Sequence, residues 1–148
     1  MLGITLYIIP SGLKNADLDK TINSFTYYNE DIDEEITLIK DVVRASSIRD
    51  IMMRRNGNED DWFIVVYDNE HITIGLAYAF MNFMRGNADV LVVMKNVDEY
   101  ITQSPRAFKN FVRLGQESLL PDKDAMSPVT KKPLVYVRIL DGWIREHV

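Results

Sequence analysis

Asp68 and Glu70 are two carboxylates one residue apart, directly after the apolar run Trp62-Phe63-Ile64-Val65-Val66-Tyr67. Hard cations prefer oxygen ligands, so a pair of this kind can hold a divalent metal against a phosphate. The plainer use of Asp68 and Asn69 is to open a turn. Asp41 ends a second apolar stretch, Glu35-Ile36-Thr37-Leu38-Ile39-Lys40-Asp41. His71 adjoins the acidic pair and can add an imidazole ligand. Arg44, Arg49, Arg54 and Arg55 gather positive charge that can meet a pyrophosphate or an acidic partner. A solvated helix face is the plainer reading of such a run.

These groups act together only if the chain brings them together. The run ending at Tyr67 is short and rich in Val, Ile and aromatics, the signature of a strand buried on both faces. Ile4 to Ile9 reads the same way and stops at Pro10-Ser11-Gly12. A helix capped by Asn15 or Asp17 is expected to run to about Tyr27. A strand follows over Glu35–Ile39. Ser46 or Ser47 caps a second helix, closed by Asn56-Gly57. A third helix is expected from Ile74 to Met84, and a buried strand from Ala88 to Met94. Ser104-Pro105 reads as the start of a short helix through Phe111. Pro121 to Lys132 reads as a polar loop, and Leu134 to Leu140 as the last strand. Strands alternating with helices predict one α/β domain over residues 1–148, a three-layer sandwich with a mostly parallel central sheet. In such sheets ligands sit at the carboxyl ends of the strands.

Composition narrows the function. The chain has 148 residues, 47% of them apolar, which suits one domain with a real core. Its net charge of −5 argues against a nucleic-acid binder, which shows a basic face. There is no cysteine, so disulfide scaffolds, thiolate zinc sites and cysteine nucleophiles are excluded. No stretch is long and apolar enough to span a bilayer, and the start lacks a leader pattern, so a cytoplasmic protein is expected. Phosphate-loop, dinucleotide-binding and nucleophile-elbow glycine motifs are absent. A response-regulator-like domain wants an acidic pair after the first strand, where this chain has Pro10-Ser11-Gly12.

The ordered pieces resemble family 2 glycosyltransferases of the GT-A fold. The opening Ile4-Thr5-Leu6-Tyr7-Ile8-Ile9-Pro10, the Leu18 to Ser24 spacing, Asp41 after a strand, Tyr67-Asp68-Asn69-Glu70, Ala88 to Met94 and Ser104-Pro105-Arg106-Ala107-Phe108 follow that family's order. The resemblance covers roughly the first three quarters of the chain. It implies binding of a nucleotide-diphospho-sugar with Mn2+ or Mg2+, and transfer of the sugar. Asp68 and Glu70 would hold the metal. Pro10, Ser11, Asp41 and Asp68 would bind the nucleotide, and Asp122 or Asp124 would act as general base on the acceptor. The chain departs from the family in length, in reading Asp-Asn-Glu for Asp-x-Asp, and in leaving little chain for an acceptor site. The alternative is a catalytically silent domain of that fold. It would work as an interaction or structural module with a protein partner, for example as a small accessory protein of a virus or mobile element. Tyr27, Tyr28 and Trp143 are candidate anchors for such a partner.

Overall fold

The computed structural model describes residues 3–115 and 117–148. Ten strands and three helices are present among them. In chain order they are β1 (Ile4–Ile9), α1 (Leu18–Asn23), β2 (Thr26–Asn29), β3 (Glu34–Thr37), β4 (Asp41–Arg44), α2 (Ile48–Arg54), β5 (Trp62–Tyr67), β6 (Glu70–Ile72), α3 (Ile74–Phe83), β7 (Val90–Val97), β8 (Tyr100–Lys109), β9 (Tyr136–Arg138) and β10 (Ile144–Glu146).

The chemistry of the helix starts matches the expectation. Asp17 caps α1 by accepting from the backbone N–H of Lys20, and Ser47 caps α2 by accepting from that of Asp50. Thr73 precedes α3, but its hydroxyl accepts from the backbone N–H of Trp143 instead, which stitches the C-terminal segment to this helix. Gly142 is obligatory at that seam. Its φ is +110°, and an added Cβ would lie 2.2 Å from the backbone nitrogen of Leu76.

The three-layer, mostly parallel α/β sandwich is not what forms. The fold is sheet-rich, with a curled mixed sheet in the order β4-β1-β5-β8-β7-β10-β6, and β9 beside β7. β1 lies parallel to β4 and β5, and β7 parallel to β9 and β10. β8 runs antiparallel to both β5 and β7, and β6 antiparallel to β10. Two departures from the expected helices cause this. Asp98 takes φ +52° and turns the chain into the β7–β8 hairpin, so the helix expected from Ser104 is instead strand. α1 stops at Asn23, and the following Thr26-Tyr27-Tyr28 pairs with β3 in a separate two-stranded ribbon. Thr and Tyr favour pleated backbone.

The sheet buries both faces at its centre. Leu6, Ile8, Ile64 and Val66 pack with Leu76 and Phe80 of α3. Tyr7, Ile9, Phe63 and Val65 pack with Ile48 and Ile51 of α2 and with Phe108. This is why β5 reads as an unbroken apolar run, and β1 as one broken only by Thr5. The far end of the sheet curls back: β6 pairs with β10, yet only Asp68 and Asn69 separate it from β5.

Candidate functional site

The carboxyl ends of β1 and β5 carry the residues singled out first. Asp68 closes the Pro10-Ser11 turn, because its Oδ1 accepts the backbone N–H of Ser11 at 2.9 Å, while its own N–H donates to the Ile9 carbonyl. Pro10, Ser11 and Asp68 are therefore neighbours. Gly12 follows with φ +72°.

Glu70 points inward and is completely buried. Arg106 forks onto it, Nη1 to Oε1 at 2.7 Å and Nη2 to Oε2 at 2.9 Å. Lys95 Nζ stands 2.6 Å from Oε2, and the Tyr67 backbone N–H donates to Oε1 at 2.8 Å. Lys95 also reaches Glu146 at 3.2 Å. Arg106 donates further to the Val65 carbonyl and the Ser104 hydroxyl, and lies over the Tyr67 ring. Burial alone would raise the Glu70 pKa. The hydrogen bonds and charge of Arg106, then of Lys95, outweigh it and hold the carboxyl at about 2.

A β-bulge places Arg106. Leu91 faces Ala107 across the ladder but Val92 faces Pro105, so Arg106 is the extra, unmatched residue. A bulge re-aims a side chain, and its interrupted ladder accommodates Pro105, which has no N–H to donate. β5, β6, β7, β8 and β10 all contribute to the cluster.

Beside it lies a histidine pair. His147 is buried, and its ring stacks on His71 with the two Nδ1 atoms 3.0 Å apart. One ring must donate and the other accept, so both cannot be charged in this contact. His147 Nε2 approaches the Thr21 hydroxyl (3.1 Å) and the Asp17 carbonyl (3.2 Å), and Thr21 donates to the Glu70 carbonyl. Desolvation, then His147, Lys20 and Arg145, lower the His71 pKa.

The remaining expected residues are elsewhere. Asp41 begins β4 rather than ending a strand, and is exposed opposite Thr5. Tyr67, just before Asp68, is opposite Ile9. Four residues of β1, Leu6 to Ile9, therefore lie between the levels of the two acids, roughly 16 Å along the strand. Asp122 and Asp124 are exposed and line a hollow of about 450 Å³ with Arg113 and Lys123. That hollow belongs to the amino end: Asp122 N–H bonds the Arg113 carbonyl, three residues beyond Asn110, which bonds the Asp61 carbonyl. Arg55 is held there by the carbonyls of Asn110 and Val112, and Arg54 by the Arg44 carbonyl and Asp50. Neither arginine bonds Asp68 among the described residues. Tyr27 is buried and Tyr28 exposed.

The residues do not fit a metal held by Asp68 and Glu70. Both Glu70 oxygens already accept from cations or backbone, and a divalent ion would have to displace Arg106 and Lys95. Among the described residues no group of three His, Cys, Asp or Glu side chains is placed to hold a metal ion. Nor is any helix there long and apolar enough to cross a membrane.

Sequence reasoning missed Arg106, Lys95 and Glu146. One signal was legible: Tyr100-Ile101-Thr102 after Asp98-Glu99 is strand chemistry after a turn. No protein-family model, curated protein or solved structure matches the chain.

Proposed function

We propose that this chain is a non-catalytic interaction (binding) or structural module, the second of the two functions its sequence points to, carried on a curled mixed sheet in place of the GT-A fold expected there. One observation supports this above others. The most strongly perturbed acid, Glu70, is saturated by Arg106, Lys95 and the Tyr67 N–H, and so fastens the curl of the sheet. A group acting on substrate needs a free lone pair or proton within reach of it. Glu70 has neither solvent nor an unused oxygen.

Handling of a nucleotide-diphospho-sugar keeps one support, the contact between Ser11 and Asp68 beside the Gly12 turn. Calorimetry decides between the two. Uridine and guanosine diphosphate sugars are titrated with and without manganese into the wild type and Asp68→Ala. The expected result is no metal-dependent heat in either protein. Metal-dependent binding that disappears in Asp68→Ala would overturn the module reading.

A further inference from the structure

The amino end of the sheet holds a hollow of about 690 Å³. Its walls are Ile4, Ile36, Leu38, Ile39, Met81 and Met84, contributed by β1, the β2–β3 ribbon, the strand-linking segment and the end of α3. The volume lies within the range of small-molecule sites, and an apolar wall with few polar groups is their usual composition. The charged residues lining it are Lys40 and Arg85, both cationic. Neither enters an ion pair among the described residues. In a chain of net charge −5, two unpaired cations beside an apolar hollow form a local reversal of sign.

We propose that this hollow binds a soluble amphipathic carboxylate, a single apolar body with one anionic head. The body fills the apolar walls. Arg85 offers a planar fork that matches a carboxylate, and Lys40 offers a point charge beside it. The acids of the neighbouring ribbon, Glu30, Asp31, Asp33, Glu34 and Glu35, do not line the hollow. They stand against polyanions, whose charge would extend over them.

The walls can also adjust. A two-stranded ribbon has little stability of its own. β2 is pinned by the Tyr27 ring against Tyr78, 4.6 Å between centroids, and by its hydroxyl at Met81 Sδ. Methionines at 81 and 84 suit bodies of differing shape.

The inference rests on the binding-module reading and names its ligand class. The test titrates decanoate, decanol and anionic phospholipid vesicles into the full chain by calorimetry. Wild type, Lys40→Gln/Arg85→Gln and Leu38→Trp are compared, with circular dichroism to confirm that each folds. Decanoate is expected to bind at one site, with decanol about tenfold weaker or more. The double variant should lose that margin while still binding decanol, and Leu38→Trp should block both. Equal binding of decanol and decanoate, binding to vesicles alone, or no decanoate heat would each overturn the assignment. So would a decanoate margin unchanged in the double variant, or concentration-dependent self-association through the hollow. Those outcomes leave the module reading standing. Chemical conversion of decanoate would overturn that reading instead.

Discussion

The two ends of the central strands handle polar groups in opposite ways. At the carboxyl ends, Glu70, Arg106 and Lys95 are taken into the interior and satisfied by one another. At the amino ends, Lys40, Arg85, Asp122 and Asp124 stay in solvent around two hollows, and Asp41 is exposed. The buried indole N–H of Trp62, opposite Ile4, has no acceptor there among the described residues. An unpaired donor of that kind costs about 1–3 kcal/mol, whereas a fully paired network rigidifies its surroundings. The carboxyl end thus encloses its three-charge cluster, whereas most charge at the amino end stays in solvent, Asp89 with Lys109 being the exception.

The largest effect should come from breaking the buried pair. Arg106→Met strands Glu70 with Lys95 alone, and a loss of about 3–5 kcal/mol is expected from urea unfolding. Lys40→Gln/Arg85→Gln at the other end should change stability by about 0.5 kcal/mol or less. Similar losses from both would erase the distinction.

Next in size is acid stability. Glu70 is near 4.5 when unfolded and about 2 when folded. A lowered folded pKa gives stability that is complete above pH 4.5 and is lost as pH falls towards 2. The integral is about 3 kcal/mol. The urea midpoint of the wild type should fall across that window, and that of Arg106→Met should fall less.

The smallest effect concerns His71. Its folded pKa lies below 6.5. The unfolded chain binds the proton more readily, so stability should fall as pH drops below 6.5. His71→Asn should flatten the urea midpoint between pH 7.5 and 5.5. An unchanged slope would show that the stacked pair with His147 does not resist protonation.

What was legible in the chain was local. Ile4–Ile9, apolar but for Thr5, and Trp62–Tyr67, apolar throughout, both appear as strands with the expected bounds. Asp17 and Ser47 announce helix starts through hydrogen bonds within three residues. The rest depended on distant pairing. Ser104-Pro105 has the composition of a helix start, and only the antiparallel neighbours β5 and β7 draw it into a bulged strand. Asp41 follows an alternating stretch that pairs locally in the ribbon, so the strand continuing the sheet begins at Asp41 instead of ending there. The adjacency of Asp68 and Ser11 was legible because each follows a readable strand. Arg106, Lys95 and His147 were not, since no local period marks which charges a curled sheet will enclose.

The pairing of β6 with β10 joins Glu70 to Glu146, the longest sequence separation in the ladder. During synthesis β6 emerges long before the strand it needs, and its hydrogen-bonding edge waits in the open. Non-local pairings of this sort slow folding, and a waiting edge recruits foreign strands. Hydrogen exchange in a refolding pulse should therefore show the amides of residues 70–72 among the last to be shielded.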